Sequence, residues 1–116
     1  MYWFKRQNKY GNKSSEYNGI IYHSKMEAGY AQELDLRVKA KDIKSWVRQV
    51  KIPLKVKGEL VANYYIDFVI THNDRIKEYV EVKGFETEVW RLKWKLFEII
   101  YKDKVRKGLV KLTVIK

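Results

Sequence analysis

The sequence predicts a mixed α/β (α+β) domain in which helices pack on a mixed β-sheet. Three features predict this class: an early helical apolar stripe, several β-type segments in the middle of the chain, and a second helical stripe followed by an apolar strand. The length of 116 residues is enough for one hydrophobic core, and the chain contains no long linker. We therefore expect a single domain over residues 1–116.

Residues 1–16 are polar and basic apart from Tyr2-Trp3-Phe4, so they predict an irregular basic arm. A short strand is expected around residues 19–22, and the pattern then changes to helix. The apolar stripe of this helix repeats every four residues, at Met26, Tyr30, Leu34 and Val38. Ser24 favours the N-cap position, and Glu27 has the spacing of its partner in a capping box.

Residues 46–52 alternate as a half-buried strand, and Pro53 either ends this strand or places it at a sheet edge. Residues 64–70 and 76–84 are two further strand candidates, because β-branched and aromatic residues dominate them. The polar residues 71–75 between them have turn composition. The two segments therefore predict an antiparallel hairpin.

A hairpin whose turn centres near Asp74 places Asp67 about opposite Glu81. Lys83 lies two residues beyond Glu81 and shares its face. Two carboxylates that face each other across a sheet repel and destabilise the hairpin. We therefore expect a positive charge between them, and a divalent cation with Lys83 beside it meets that need.

A second helix is expected over residues 86–104, and Gly108 ends the pattern before a final strand at residues 109–115. The residues predicted to be buried repeat at helical spacing, and they are Val89, Leu92, Leu96, Ile99 and Ile100. The basic residues Arg91, Lys95 and Lys102 are expected on another side of this helix.

The formal net charge of +11 is concentrated at the two ends of the chain. Residues 1–13 carry +4 without any acid, residues 14–90 are balanced, and residues 91–116 carry +7. Clustered lysine and arginine attract nucleic-acid phosphates, although a solubilising surface or an anionic membrane would also explain them. No basic helix with a clean apolar face favours a membrane, so we predict a nucleic-acid partner.

The chain contains no cysteine, which excludes disulfides, thiolate catalysis and cysteine-ligated zinc. It has no signal-peptide pattern and no apolar run near the roughly 20 residues that span a bilayer. These absences predict an intracellular, soluble protein.

Each candidate site residue also has a structural interpretation. Asp67 lies among apolar neighbours, where an acid is unfavourable unless it binds a metal or pairs with a lysine. Glu27 either belongs to the site or only accepts the Ser24 amide N–H as part of the cap. Gln49 points either into the site or into solvent, and Lys93 either reaches phosphate or belongs to a solvated helix face. These residues alone leave both interpretations open.

The order of these residues resembles a known family. An acid on the first helix, a strand Asp, a Glu-x-Lys on the next strand and a following helix resemble the PD-(D/E)XK nuclease superfamily, whose restriction-endonuclease-like core has the order αβββαβ. Four segments resemble small phage-encoded members similar to Holliday-junction resolvases of the endonuclease I type, namely residues 24–28, 48–50, 65–68 and 80–84. The similarity covers about residues 10–97. One departure is Ile66, which stands where the superfamily often has proline.

The resemblance implies that Glu27, Asp67 and Glu81 bind Mg²⁺, with Mn²⁺ as a substitute, and that Lys83 lies beside the nucleophilic water. It implies a DNA endonuclease acting on branched or four-way-junction DNA in the cytoplasm of a bacterial host. Because a junction has two strands to cut and the chain has one such site, we expect a homodimer.

The residues expected to contact DNA are basic or polar, and they are Lys5, Arg6, Lys9, Lys13, Gln49, Arg91, Lys93 and Lys95. Two alternative functions stay open. One is a restriction-like or repair nuclease that acts on linear duplex DNA, and the other is a non-catalytic nucleic-acid-binding domain.

Overall fold

The computed structural model describes residues 14–116, which form a four-stranded sheet, a separate two-stranded hairpin and three helices. In chain order the elements are β1 Ser15–Tyr17, β2 Ile20–Tyr22, α1 Lys25–Lys39, β3 Ser45–Val56, β4 Glu59–Thr71, β5 Lys77–Val82, α2 Glu88–Ile100, α3 Lys102–Arg106 and β6 Val110–Ile115. The large sheet has the order β3-β4-β5-β6, antiparallel except for the parallel β5–β6 pair. The predicted α/β (α+β) class is confirmed.

The N-terminal hairpin changes one sequence prediction. Ser15–Tyr17 forms β1 and pairs with β2, although residues 15 and 16 were assigned to the arm. The two-residue turn at Asn18-Gly19 closes the hairpin with positive φ angles of 54° and 80°. The rest of that arm, with Tyr2-Trp3-Phe4 and the predicted DNA contacts Lys5, Arg6, Lys9 and Lys13, lies outside the described residues.

The edge position of β3 explains Pro53. The strand continues through Pro53 to Val56, so the proline does not end it, and β3 is the first strand of the sheet. An edge strand has one side without a neighbour, where the missing N–H of proline is tolerated. The β3–β4 hairpin closes at Lys57-Gly58, both with positive φ.

Two apolar cores lie on opposite faces of the large sheet. Phe68 and Ile70 of β4 pack in the core beneath α1, whereas Tyr64 and Ile66 pack in the core beneath α2. These four residues have the same parity and would share one face of a regular strand. The strand therefore turns over at Asp67, which lies at the boundary between the two cores.

The buried face of α2 differs from the prediction. Val89, Leu92 and Ile99 are 65%, 71% and 59% exposed, whereas the buried residues are aromatic, namely Trp90, Trp94 and Phe97. Both stripes have helical spacing, and the aromatic stripe is buried because large rings remove more apolar surface from water. Leu96 and Ile100 pack at the margin of this core.

The predicted single helix over residues 86–104 is two helices, because α2 ends at Ile100 and the short α3 begins at Lys102. The final strand was predicted correctly, and β6 lies parallel to β5. Within residues 14–116, no helix is both long enough and apolar enough to cross a bilayer.

Candidate functional site

Asp67 and Glu81 bind each other's strand where the β4–β5 ladder ends. The last ladder pair is Phe68 with Val80, so the register places Asp67 opposite Glu81, as the turn position predicted. Glu81 Oε1 accepts the Asp67 backbone N–H at 3.3 Å, and Asp67 Oδ2 accepts the Val82 N–H at 2.9 Å. The two carboxylates therefore continue the hydrogen bonding of the strands with side chains.

Gln49 of β3 completes the surroundings of Asp67. Its side-chain Nε2 donates to Asp67 Oδ1 at 3.3 Å, and its backbone has a positive φ of 51°. A non-glycine residue is uncommon in this conformation and marks local strain or function. The amide of Gln49 thus faces the acids, which was one of its two predicted orientations.

The pKa of Asp67 is raised because its carboxyl group is buried close to two other carboxyl groups. Burial, followed by the charges of Glu81 and Glu27, raises the pKa of Asp67 to about 8, against the Val82 N–H bond. Burial also raises the pKa of Glu81, although the Lys83 ammonium opposes this rise. Three carboxyl groups lie in one poorly solvated region, where their charged forms repel one another. A bound cation would offset this repulsion.

Glu27 lies beneath this pair, in the first turn of α1. The Ser24 hydroxyl caps the helix by accepting the Glu27 N–H at 3.1 Å, so that half of the predicted capping box is present. The other half is not present, because Glu27 Oε1 accepts the backbone N–H of His23, at 2.9 Å, instead of the Ser24 amide. Its carboxyl group is near enough to Asp67 for its charge to help raise the Asp67 pKa.

Lys83 and Glu81 share one aromatic neighbour. Lys83 Nζ lies 3.7 Å from Glu81 Oε2 and 5.2 Å from the centre of the Trp90 ring. Trp90 Nε1 donates to Glu81 Oε2 at 3.1 Å and to the Tyr64 hydroxyl at 2.9 Å. The lysine and the carboxylate are therefore held side by side against the same indole.

An open pocket of about 320 Å³ brings most of these side chains to the surface. Its lining combines Asp67, Glu81 and Lys83 with polar, basic and aromatic neighbours, and these residues are His23, Gln49, Tyr64, Tyr65, Asp67, Glu81, Lys83, Thr87, Val89, Trp90 and Lys93. The predicted ligand Glu27 is buried and does not line this pocket. Of the three basic residues of α2 that were predicted to bind DNA, Lys93 lines this pocket. Arg91 and Lys95 line a separate groove beside β6.

Comparison with known proteins adds one finding. A family model described as a protein of unknown function, DUF1064, matches residues 7–114, which is nearly the whole chain. The chain belongs to the DUF1064 family. No curated protein and no solved structure is significantly similar to it.

The DUF1064 site can be tested for its fit to the divalent cation that the resemblance implies. Glu27 Oε2 is buried and has no hydrogen-bond donor among the described residues. Leaving a buried carboxylate oxygen unpaired is unfavourable, and such an oxygen is a ligand that Mg²⁺ accepts. Across residues 14–116, however, no three His, Asp or Glu side chains are already arranged around one ion position. The carboxylate oxygens are ligands that suit a hard cation. In the structure, all of them except Glu27 Oε2 accept hydrogen bonds from protein N–H groups.

Two residues of the DUF1064 site were missed by the sequence analysis, Trp90 and Tyr64. The signal for Trp90 was the aromatic stripe on α2, since tryptophan, tryptophan and phenylalanine recur at positions 90, 94 and 97. Tyr64 lies three residues before Asp67 on β4, and alternation alone does not predict that its hydroxyl accepts the indole N–H of Trp90. That contact depends on how α2 packs against β4.

Proposed function

We propose that this DUF1064 protein is a metal-dependent DNA endonuclease of the PD-(D/E)XK type that acts on branched DNA such as a four-way junction. The observation that carries the proposal is the meeting of Asp67, Glu81 and Lys83 in one open pocket, with the charge of buried Glu27 near enough to raise the Asp67 pKa. Clustered carboxyl groups with raised pKa and an adjacent ammonium group are characteristic of functional sites.

Glu27, Asp67 and Glu81 are the residues that would hold Mg²⁺ or Mn²⁺, since all three offer hard carboxylate oxygens. Each carboxylate oxygen has two lone pairs, so an oxygen that accepts a protein N–H can still bind a cation. When bound, the ion would neutralise charge on the scissile phosphate and lower the pKa of an attacking water.

Lys83 would act on the phosphate directly. Its ammonium group is partly exposed in the pocket while the Glu81 carboxylate holds it at 3.7 Å. An ammonium fixed in this way can donate to a non-bridging phosphate oxygen and stabilise the charge that develops as the phosphodiester bond breaks. Gln49, by donating to Asp67 Oδ1, keeps that carboxylate in place during the reaction.

The β3–β4 hairpin supports a substrate path that leads away from the pocket. The stretch from Gly58 to Asp67 spans about 30 Å at roughly 3.3 Å per residue. One face of this ribbon packs against α2, and the opposite face exposes Lys51, Lys55 and Tyr65. Tyr65 pairs with Lys51 across the ribbon, is 54% exposed and lines the pocket.

An exposed aromatic ring between lysines is suited to an unpaired nucleotide. Bases stack on such rings, and lysines neutralise the neighbouring phosphates. Unpaired or splayed bases occur at branch points, so Tyr65 favours branched DNA over a continuous duplex. Lys93, which donates to the Asn63 carbonyl at 3.4 Å, adds a positive charge to the same pocket wall.

A four-way junction has two strands to cut, which requires two sites in a symmetric homodimer. The exposed apolar stripe of α2 has the three- and seven-residue spacing of a helix-pairing seam, at Val89, Leu92 and Ile99, and half-buried Leu96 lies beside it. We assign this stripe to contact with a second copy of the chain.

A cleavage panel tests the proposed function. Wild type and Asp67→Asn are incubated with Mg²⁺ and matched four-way, flap, single-stranded and linear duplex DNA. We expect wild type to cut the four-way junction fastest and the variant to cut nothing. Equal cutting of linear duplex would support a restriction-like or repair nuclease, and binding without cleavage under Mg²⁺ or Mn²⁺ would support a non-catalytic binding domain.

A further inference from the structure

We infer that Trp90 is a positioning residue that holds both the Glu81 carboxylate and the Lys83 ammonium group in their working arrangement. The inference rests on the proposed nuclease function and extends it to a residue of α2. It assigns one indole ring the task of fixing a proposed cation ligand, Glu81 of β5, and the proposed phosphate donor Lys83, which directly follows that strand.

The contacts of Trp90 divide between the edge and the face of its ring. At the edge, Nε1 donates to Glu81 Oε2 at 3.1 Å. Over the face, Lys83 Nζ lies 5.2 Å from the ring centre, within the range of a cation–π contact. The 3.7 Å separation of Lys83 Nζ and Glu81 Oε2 is therefore set by two contacts with one rigid side chain.

Glu81 needs this support because it is almost completely buried, with only 4% of its surface exposed. A buried carboxylate is unfavourable unless its oxygens accept hydrogen bonds. Oε1 accepts the Asp67 N–H, and Oε2 accepts the indole N–H of Trp90. With both oxygens tied, Glu81 does not rotate away when a cation or a phosphate enters the pocket.

The Trp90 ring is itself held in place. Its backbone N–H donates to the Thr87 hydroxyl at 3.0 Å, which fixes the start of α2. Its ring stacks on Trp94, with centres 5.8 Å apart and planes inclined by 20°. The Tyr64 hydroxyl accepts the same indole N–H and lies near enough to Glu81 to lower the pKa of that carboxyl group, against the effect of burial.

If Trp90 only filled the core, replacing it should have the same effect as replacing another buried tryptophan. Trp94 provides this comparison. Trp94 is the same residue type, one helical turn later on the same face of α2, and is equally buried at 9% exposed. Its ring contacts are with Tyr64, Trp90 and Phe97. Replacing either tryptophan should disturb the core beneath α2, but only Trp90 donates to Glu81.

The test compares Trp90→Phe with Trp94→Phe in the full chain. For both we measure the thermal unfolding midpoint, the affinity for Mn²⁺ by calorimetry without DNA, and kcat and KM on a four-way junction. Because groups that orient metal ligands typically contribute 10- to 100-fold, we expect Trp90→Phe to lower Mn²⁺ affinity and kcat by about 10-fold or more. KM should stay within about 2-fold, and Trp94→Phe should match wild type in affinity and kcat.

Tyr64→Phe provides a second variant if Trp90→Phe does not fold. It removes the hydroxyl that lowers the pKa of Glu81 and keeps the ring that packs against Trp94 and Phe97. We expect the same two losses at a smaller size, about 3- to 10-fold. Unchanged Mn²⁺ affinity and kcat in this variant would overturn the inference.

The outcomes also separate this inference from the proposed function. If wild type binds Mn²⁺ and cuts DNA while Trp90→Phe and Trp94→Phe behave alike, the positioning role is wrong and the nuclease stands. If wild type neither binds Mn²⁺ nor cuts any DNA of the panel, the proposed function fails and the positioning role fails with it.

Discussion

Glu81 directs its carboxylate to the backbone of Asp67, with Oε1 accepting the Asp67 N–H at 3.3 Å, directly beyond the last pair of the β4–β5 ladder. This contact places two carboxylates side by side at the boundary of two apolar cores. In the metal-free protein their proximity opposes folding, because burial and mutual repulsion both disfavour the charged forms.

Asp67→Asn should stabilise the metal-free protein at high pH. With a pKa of about 8, Asp67 stays protonated in the folded state up to about pH 8, whereas in the unfolded chain it ionises near its ordinary value of 3.8. Its contribution to folding is therefore complete below pH 4 and is lost as the pH rises to 8. We expect the variant to melt about 5 °C or more above wild type at pH 8, with a much smaller gap at pH 4 to 5.

Thermal unfolding without divalent ions, measured at both pH values, checks this prediction. The variant can keep both hydrogen bonds, because the Gln49 amide can rotate to face the new side-chain NH₂. Excess Mg²⁺ serves as the control and should stabilise wild type more than the variant. A variant that melts below wild type at pH 8 would show that the Asp67 charge does not oppose folding.

Glu27→Gln and Ser24→Ala should separate the two roles proposed for the start of α1. Ser24→Ala removes the helix cap and should cost about 1 kcal/mol of stability without changing kcat. Glu27→Gln keeps an oxygen for the His23 N–H but removes the charge, so it should preserve folding and lose most cleavage. Urea unfolding and steady-state cleavage of the two variants decide the matter. Full activity in Glu27→Gln would reduce Glu27 to a structural residue.

Lys83→Met should remove the donor to the phosphate while keeping the apolar stem of the side chain. We expect kcat to fall by about 100-fold or more, with DNA affinity within about 3-fold of wild type. Lys77→Met is the matched control, since Lys77 begins β5, the strand that Lys83 directly follows, and donates to the Thr71 hydroxyl. Single-turnover cleavage and fluorescence anisotropy are the measurements. Equal rates for the two variants would exclude a catalytic role for Lys83.

The exposed ribbon face should contribute to DNA affinity through both charge and stacking. The double variant Lys51→Ser, Lys55→Ser should lower the slope of log affinity against log salt by about 2, because two phosphate contacts are lost. Tyr65→Ala should weaken binding to a four-way junction about 10-fold and to linear duplex much less. Lys104→Ser, Lys107→Ser is the charge-matched control on another element. A salt slope that changes equally in both double variants would place the DNA elsewhere.

Leu92→Lys should convert a dimer into monomers without unfolding the chain. Leu92 is 71% exposed at the centre of the apolar stripe on α2, so a lysine there disturbs the proposed contact with a second copy and leaves the core intact. Sedimentation velocity at several protein concentrations gives the mass. Glu98→Gln raises the net charge by the same single unit elsewhere on the same helix and controls for net charge. A wild type that remains monomeric at high concentration would contradict the dimer.

Much of the positioning of the site followed from the sequence. Alternation and turn composition predicted the β4–β5 hairpin and placed Asp67 opposite Glu81, because side chains alternate with period two along a strand. Ser24 was correctly predicted as a helix cap, since N-cap chemistry is local. Both predictions succeeded because they depend on interactions between neighbouring residues.

The remaining features depend on which surfaces meet in three dimensions. Two apolar stripes on α2 had similar spacing, and only packing against β4 selects the one that contains Trp90. No periodic pattern in the sequence indicates that β4 exchanges its buried face at Asp67. No pattern indicates the positive φ of Gln49 either. Glu27 Oε1 accepts the His23 N–H instead of the Ser24 N–H. This choice depends on the path of the backbone between β2 and α1, which residue spacing does not predict.

The central claim is that three carboxylates from α1, β4 and β5 hold one divalent cation. Calorimetric titration of Mn²⁺ without DNA, into wild type and into Glu27→Gln, Asp67→Asn and Glu81→Gln, tests it most directly. We expect saturable binding by wild type and at least about a 10-fold loss of affinity in each variant. A wild type that binds no Mn²⁺ at millimolar concentration, or three variants that bind it as wild type does, would contradict the account.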